Sequence, residues 1–555
     1  MADIYYVGVD VGTSNVRAAL VRHTGAVVGI HSVPITVSNP KPDYYEQDSN
    51  EIWQAVCQSV KAVTCDIEEK SQIQGLGFTA TCSLVVLDKD LEPIAVSPGK
   101  NNFNIVMWMD HRAKQEAEFI NSQDHNVLKY VGGKVSLEMQ TPKLLWLKKH
   151  MKNTWAMAAH FLDLPDFLTL KSTGQFSRSL CSLVCKWTYM CDEQTQGWDY
   201  NFFKAIGLED LADDDWNKIG KVVLAPGTQC GKLSAAAALE SGLSESTHVA
   251  TSIIDAHAGG LALLAADATS KKNLIGRLGL ICGTSTCHMC VSVDPIFVPG
   301  VWGPYYSAMI PGCWLTEGGQ SSTGSLIDHI IKSHPAAKEC TDKNVYKWLE
   351  GILEEMADMN FVSSPTYLTK DLHVYPDFHG NRSPLADPSM MGMVCGLTLD
   401  SSSKSLALLY VATLQALVYG TRQIIEQLTT SGHNITCVLL CGGLSKSPLF
   451  ISTHVDALDV PVLIPDETES VLLGASMLAA SASGNYSDVT AAALAMGGTA
   501  RSYRPEIFRK RYHDQKYAVF KKMQIDQKEY KDIMHVSKYT VQSGGDDDDK
   551  SLNSP

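Results

Sequence analysis

The chain has 555 residues, a length that suits two domains of roughly 200–250 residues better than one. Apolar residues make up 45% and charged residues 19%, which allows large cores and excludes global disorder. A formal net charge of −14 argues against a nucleic-acid binder, which needs a broad basic surface.

The first element is carried by Val7-Gly-Val-Asp-Val-Gly-Thr-Ser-Asn-Val-Arg-Ala-Ala-Leu20. An apolar run holding one acid, Asp10, breaks at Gly12 and resumes after Thr13, Ser14 and Asn15, which reads as strand, tight turn and returning strand. Backbone N–H groups in such a turn cradle phosphate, and an adjacent acid holds Mg²⁺. Taken alone, the segment is equally an ordinary hairpin whose Asp10 is a turn former.

Strands are expected at Ile4–Val9, Val16–Val21, Ala26–Val33, Ile73–Thr79 and Ser83–Leu87. A helix fits Asn50–Glu69, whose apolar residues recur at helical spacing through Ile52, Val56, Val60, Val63 and Ile67. Helices also fit His111–Ile120, Lys143–His150 and Phe161–Lys171. After about residue 250 the pattern restarts. Arg277–Cys282 and Cys287–Val293 flank Gly283-Thr284-Ser285-Thr286, as in the first hairpin. A helix fits Ser405–Thr429, and Val438–Leu440 leads into Cys441-Gly-Gly-Leu-Ser-Lys-Ser-Pro448. Two halves that each open on such a hairpin suggest duplication of one fold. Arg504–Lys531 reads as a surface helix, and Ser543–Lys550 as a flexible acidic tail outside the fold.

The cysteines number 15, are scattered, and many lie in apolar runs, which fits reduced core thiols in a cytosolic protein. Cys287-His-Met-Cys290 has metal-like spacing and Cys181 stands near Cys185, yet neither forms a paired knuckle, so the sequence argues against zinc. No Gly-x-Gly-x-x-Gly follows the first strand, which excludes a dinucleotide-binding motif. There is no basic region with an apolar signal core at the N-terminus, and no apolar run long enough to span a bilayer.

Two Gly-Thr-Ser hairpins and a late Gly-Gly turn, in this order, resemble the sugar kinase/Hsp70/actin superfamily. Trp108-Met-Asp110-His-Arg112, Thr141-Pro-Lys-Leu-Leu-Trp146, Asp255-Ala-His-Ala-Gly-Gly260 and Gly380-Asn-Arg-Ser-Pro384 resemble the FGGY carbohydrate kinases within it. Phe78-Thr-Ala-Thr-Cys-Ser83 together with Asp255-Ala-His is similar to the ribulokinase branch, and to its eukaryotic D-ribulokinase group. The likeness runs from about residue 4 to residue 505. Relatives in this branch often carry an acid where Thr79 stands.

The resemblance implies an α/β fold of two ribonuclease-H-like, actin-like ATPase domains flanking a deep catalytic cleft. The expected divisions are an N-terminal kinase domain over 1–258, a C-terminal ATP-binding domain over 259–505 and a helical extension with an acidic tail over 506–555. It implies ATP as co-substrate with Mg²⁺, and phosphorylation of a ketopentose, D-ribulose first. The alternatives are L-ribulose, D-xylulose or ribitol as acceptor, a homologue that binds sugar without turning it over, or an actin- or chaperone-like ATPase without a sugar. Partners are a small sugar, no nucleic acid and no membrane, with a homodimer admitted, in the cytoplasm.

Phosphoryl transfer needs positioning, charge neutralisation and a proton acceptor. With the family resemblance Asp255 is the expected acceptor, because it ends the apolar run Val249–Ile254 and opens a helix; read without the family it is more readily that helix's cap. Asp10 and Asp255 are the expected Mg²⁺ carboxylates. Gly12, Thr13, Ser14 and Asn15 would line one side of the triphosphate, and Gly283, Thr284 and Ser285 the other. Gly324, Gly442, Gly443 and Ser447 would carry adenosine. For the sugar the resemblance points to Ala80, Thr81, Lys186, Asp255 and Glu317, while Asp110, after Trp108, either orients its loop or touches the sugar. Lys186 sits among Val184, Cys185 and Trp187, an unusual setting for a solvent lysine.

Overall fold

The computed structural model describes residues 3–99, 102–267, 273–505 and 507–534. Two seven-stranded mixed sheets organise it. The first is built from β1 (Tyr5–Val11), β2 (Asn15–Arg22), β3 (Val27–Pro34), β4 (Ile73–Ala80), β5 (Gln229–Lys232), β6 (His248–Ala250) and β7 (Ile253–Ile254). Its order is β5-β6-β4-β1-β2-β3, with β7 also on β4. The second is built from β8 (Arg277–Cys282), β9 (Thr286–Ser292), β10 (Trp302–Tyr306), β11 (Trp314–Gln320), β12 (Cys437–Cys441), β13 (Val462–Pro465) and β14 (Ala500–Tyr503). Its order is β10-β11-β9-β8-β12-β13-β14. In each sheet an antiparallel hairpin lies beside a parallel strand: β1–β2 with β4 in the first, β8–β9 with β12 in the second.

The duplication inferred from one short motif is therefore a duplication of topology. β1, β4 and β8 are buried almost throughout, so their sequences read as continuous apolar runs. β3 instead alternates half-buried and exposed positions, as a strand at the sheet edge does.

Helix α1 (Ser49–Thr64) covers the outer face of the first sheet. It is capped by Asp48, whose side chain accepts from Asn50 N, and it stops five residues before the expected end. Helix α2 (Leu180–Lys186) is a short buried turn behind β10. Helices α3 (Asp255–Ala265) and α7 (Ser470–Ala482) lie between the two sheets. Helix α4 (Gly324–Ser333) follows the second hairpin, α5 (Ser403–Thr430) packs on the outer face of the second sheet, and α6 (Pro448–Ala457) follows the Gly-Gly turn. The C-terminal α8 (Ile507–Met534) packs against α6. The acidic tail lies outside the described residues.

One expected helix begins later. Phe161–Asp163 is strand, paired with Leu84–Leu87, and the helix runs from Leu164 to Thr173. Pro165 sets that start, because proline is tolerated in the first turn of a helix and not in its interior.

The α3–α7 pair is packed backbone to backbone. A Cβ on Gly77 of β4 would lie 2.0 Å from the Ala475 carbonyl oxygen of α7, and one on Gly474 of α7 would lie 2.0 Å from the Ala258 oxygen of α3. Such contacts leave no room for a methyl group. Gly77→Ala is expected to cost about 1–3 kcal/mol by overpacking and to lower the melting temperature, whereas Gly29→Ala, with nothing within 4 Å of its added Cβ, leaves it unchanged. Thermal melts of the two variants check this.

Candidate active site

Parallel pairing brings three strand ends together. Val11 stands opposite Ala80, and Ala80 opposite Ile254, so the chain leaves β1, β4 and β7 at the same edge of the sheet. Gly12, Thr81 and Asp255 follow those ends. In open α/β sheets this carboxyl edge is where ligands bind. Thr81 N donates to Val11 O at 3.0 Å, which ties the second loop to the first.

Asp10 is buried on β1. Its Oδ2 accepts from Arg17 Nη2 at 2.6 Å and Nε at 3.2 Å, and Arg17 Nη1 reaches Glu469 at 2.8 Å. Glu469 precedes α7, so this bridge links the first hairpin to the helix pair. The other carboxylate oxygen, Oδ1, is buried without a hydrogen-bond partner among the described residues. An orphaned anionic oxygen beside a phosphate-type hairpin fits a hard cation such as Mg²⁺, which takes oxygen ligands and keeps several waters. Burial raises the Asp10 pKa against the opposing Arg17 charge.

Asp255 opens α3, and its Oδ1 accepts from Ala256 N at 2.6 Å. Burial, then the nearby Asp10 charge, pushes its pKa up to about 6. A carboxylate so poised is ionised at neutral pH and still basic enough to accept a proton.

The two hairpin turns close alike. Gly12 N donates to Asn15 O, and Gly283 N to Ser285 O, both at 2.9 Å. Ser14 and Asn15 are exposed, as are Gly283 and Thr284, so both turns reach the surface. Thr13 Oγ1 accepts from Trp108 Nε1 at 3.1 Å, and Thr13 O from Gln47 Nε2 at 2.9 Å. Trp108 therefore steadies the turn of the first hairpin.

Behind Gly283, Gly324 N donates to its carbonyl at 3.1 Å, and a Cβ at Gly324 would approach that oxygen to 2.7 Å. Gly442 has a φ of +92° and stands against the Cys282 backbone, where a Cβ would lie 2.4 Å from the Cys282 oxygen. Both glycines are forced by the hairpin they flank. Gly443 is exposed with nothing within 4 Å of an added Cβ. Ser447 caps α6 through Phe450 N and donates to Glu350 at 2.6 Å. A cavity of about 590 Å³ lies on another side of this turn, lined by Ser445, Lys446, Ile451, Asp466 and Arg501, and contains none of the carboxylates above.

The expected sugar residues Lys186 and Glu317 converge in the core. Glu317 is on β11 between Met289 and Trp302 of the neighbouring strands. Its Oε1 accepts from Arg382 Nη2 at 2.5 Å, and its Oε2 lies 3.2 Å from His257 Nε2. The Lys186 ammonium sits 3.8 Å from Glu138 and 4.4 Å from the centre of the Trp302 ring, on which Arg382 also stacks at 4.2 Å. Burial favours the neutral form of Glu317, but Lys186, His257 and Arg382 overrule it and hold the carboxyl well below its usual range. Burial likewise opposes the Lys186 charge, and Glu317 with other anions keeps it protonated.

Ala80 is fully buried at the end of β4, and Thr81 Oγ1 lies 3.3 Å from Ser83 Oγ. Thr79, opposite Asp10 in the sheet, has a buried hydroxyl without a partner among the described residues. Asp110 does not join the cluster. It is 1% exposed, and both oxygens are taken: Oδ1 by Arg112 N and Nε, Oδ2 by Arg112 Nη2 at 2.7 Å and Tyr45 N at 2.7 Å. With Glu46, which also meets Arg112, it braces the loop that carries Trp108. Assigning Asp110 to the sugar is thus corrected: no acceptor is left over.

The sequence reading missed His257, Arg382, Trp302 and Glu138 as members of the cluster. Arg382 lies in the quoted Gly380-Asn-Arg-Ser-Pro384 motif, and His257 in Asp255-Ala-His; the signal was present and its partner was not. Trp302 and Glu138 stand in no such motif. Cys287 and Cys290 do not form a knuckle. An odd spacing on strand β9 sends them to opposite faces, Cys287 to Arg382 and Cys290 to His433.

The chain as a whole is similar to known proteins. Residues 5–262 match the N-terminal domain, and residues 278–483 the C-terminal domain, of the FGGY family of carbohydrate kinases. An FGGY carbohydrate kinase domain-containing protein of Xenopus laevis is 50% identical over 547 residues, covering 96% of this chain and 98% of the relative. A D-ribulokinase of Saccharomyces cerevisiae is 39% identical over 519 residues, covering 87% and 72%. The gluconate kinase of Lactobacillus acidophilus superposes with a TM-score of 0.79 at 17% identity, covering 96% of this chain and all of that one, which shows the shared fold. The two sheets are the two halves of an actin-like ATPase fold, and the chain belongs to the FGGY family of carbohydrate kinases.

Proposed function

We propose that the chain transfers the γ-phosphoryl group of ATP to the terminal hydroxyl of a ketopentose, D-ribulose foremost. The observation that carries this reading is the buried Lys186–Glu317–Arg382–His257 cluster beside Asp255. A polyol is held by charged and polar groups that are costly to leave unpaired. The likeness to the yeast D-ribulokinase supports the choice of sugar.

Asp255 accepts the proton of the sugar's terminal hydroxyl. The hydroxyl oxygen bonds to the γ-phosphorus as the bond to the β–γ bridging oxygen breaks, leaving ADP. The turns at Gly12–Asn15 and Gly283–Ser285 hold the phosphates by the N–H groups left over once Gly12 N and Gly283 N have closed them. Gly443 and Ser447 border adenosine, with Gly442 and Gly324 keeping the turn close to Gly283. Asp10 and Asp255 would hold Mg²⁺, which neutralises charge on the phosphates. Residues of both halves surround the sugar, so closure would exclude water and limit idle ATP hydrolysis.

ADP release measured with D-ribulose, L-ribulose, D-xylulose, ribitol and glycerol tests the reading. D-Ribulose is expected to give the highest kcat/KM, and Asp255→Asn to lower kcat by about 10²–10⁴-fold. Absence of sugar-stimulated turnover, or full turnover by Asp255→Asn, defeats the proposal. Lys186→Met should raise the sugar KM by about 10- to 100-fold while the ATP KM stays put, since a charged hydrogen bond to the sugar is lost.

The Asp255 shift also has a sign in stability. Its pKa in the fold, about 6, lies above the ordinary carboxylate value, so ionising it costs folding free energy as pH rises through this window. Ligand-free Asp255→Asn should therefore melt above the parent by roughly 1–3 °C at pH 8 and show no gain near pH 3, where both forms are neutral. An equal difference at both pH values contradicts the assigned shift.

A further inference from the structure

The proposed phosphoryl transfer leaves two cysteines behind the sugar residues without a role. Cys181 and Cys185 stand four residues apart on α2, hence on one face, and both are fully buried. The first turn of α3 brings His257 to them. One ligand atom from each of the three lies within 4.8 Å of the others, and Cys185 Sγ is 3.9 Å from His257 Nε2. The same Nε2 is 3.2 Å from the buried Glu317 Oε2, with which it pairs. A tetrahedral Zn²⁺ with ligands at about 2.0–2.3 Å sets its donor atoms about 3.3–3.8 Å apart. The separations of 3.9 and 3.2 Å from His257 Nε2 approach that spacing, whereas Glu317 stands outside the 4.8 Å group of the other three and would move toward the sulfurs to complete the set.

The donors are two sulfurs, one imidazole nitrogen and one carboxylate oxygen. Mg²⁺ and Ca²⁺ do not favour such a set, while Zn²⁺ and its thiophilic analogues do. The sequence shows only the Cys181–Cys185 pair, which by itself argues against zinc, because the other ligands come from a second helix start and a strand far away in the chain.

We propose that Cys181, Cys185, His257 and Glu317 form an inhibitory site for a thiophilic divalent cation, with Zn²⁺ as its type. Binding releases to solvent the protons that the thiols and imidazole carry, and involves no redox step. The metal holds Glu317 away from the sugar, so inhibition competes with the sugar and not with ATP. This consequence rests on the reading of Glu317 as a sugar-binding carboxylate; the metal site itself does not.

Two measurements on the full-length, chelator-treated chain, kept reduced with a phosphine, separate the claims. Co²⁺ or Cd²⁺ titrated without sugar or ATP should produce a thiolate-to-metal charge-transfer band that saturates at one equivalent. Cys181→Ser/Cys185→Ser should lose the band, whereas Cys287→Ser/Cys290→Ser should keep it. In the kinase assay with Mg²⁺ in excess, Zn²⁺ should raise the sugar KM, and a chelator should reverse this. The Cys181→Ser/Cys185→Ser variant should need roughly 100-fold more Zn²⁺, at the upper end of the cost of losing even an outer-shell partner. If the double variant does not fold, the single Cys185→Ser variant should weaken Co²⁺ binding in the same direction. A band that survives in the double variant overturns the site, and Zn²⁺ inhibition unchanged by it overturns the inhibitory role. A band that needs both cysteines, in a chain without sugar turnover, sustains the site and fails the sugar reading.

Discussion

Two helices wedged between two sheets fix the geometry on which the site depends. The glycines of β1 and β4 let α7 settle on the first sheet, and Gly474 lets α7 settle on α3. α3 in turn packs on the second sheet. The consequence for chemistry lies at the helix starts. Asp255 opens α3, and Glu469, just before α7, grips the Arg17 that holds Asp10. The packing that joins the halves thus also sets the two carboxylates near one another. Their mutual charge, added to burial, lifts the Asp255 pKa into a range useful for a base. A methyl group at this interface would be felt as misplacement of Asp255 as well as lost stability.

The sugar residues are governed by a different constraint. Glu317 is buried, and a lone buried carboxylate is not tolerated. It is stabilised by Lys186, His257 and Arg382, drawn from α2, α3 and the loop after Gly380. Three cationic groups around one acid leave donor capacity that is not spent on Glu317. Hydroxyl groups of a polyol are suitable acceptors for it. The same arrangement fixes the Trp302 ring, which two of the cations share. Specificity then depends on how the donors match the hydroxyl stereochemistry, and removal of any one member leaves the others under-compensated.

Much of the frame of the proposed nucleotide half was legible in the sequence. Gly12, Gly283 and Gly442 punctuate apolar runs, and runs buried on both sides stay apolar whatever the fold around them. Asp10 and Asp255 were visible as acids at the ends of such runs. The sugar half was legible only where a polar residue sat in an improbable place, as Lys186 does between Cys185 and Trp187. What escaped were partners. The pairing of Glu317 with His257, or of Trp108 with Thr13, is set by sheet register and helix docking over long chain separations. Asp110 shows the reverse error: an acid beside Trp108 looked like a ligand, but Arg112, two residues on, takes it. Local spacing also misread Phe161–Asp163, where pairing with Leu84–Leu87 outweighs helical periodicity.

The central claim is that a single carboxylate just past a strand end, Asp255, takes the proton from the sugar's terminal hydroxyl as that oxygen receives the γ-phosphoryl group of ATP. Nuclear magnetic resonance of the reaction with ATP and D-ribulose labelled with carbon-13 at C5 tests it most directly. The account predicts that carbon–phosphorus coupling grows at the labelled carbon and does not grow with Asp255→Asn. Coupling at another carbon, inorganic phosphate as the sole product, or an unchanged signal from Asp255→Asn would contradict it.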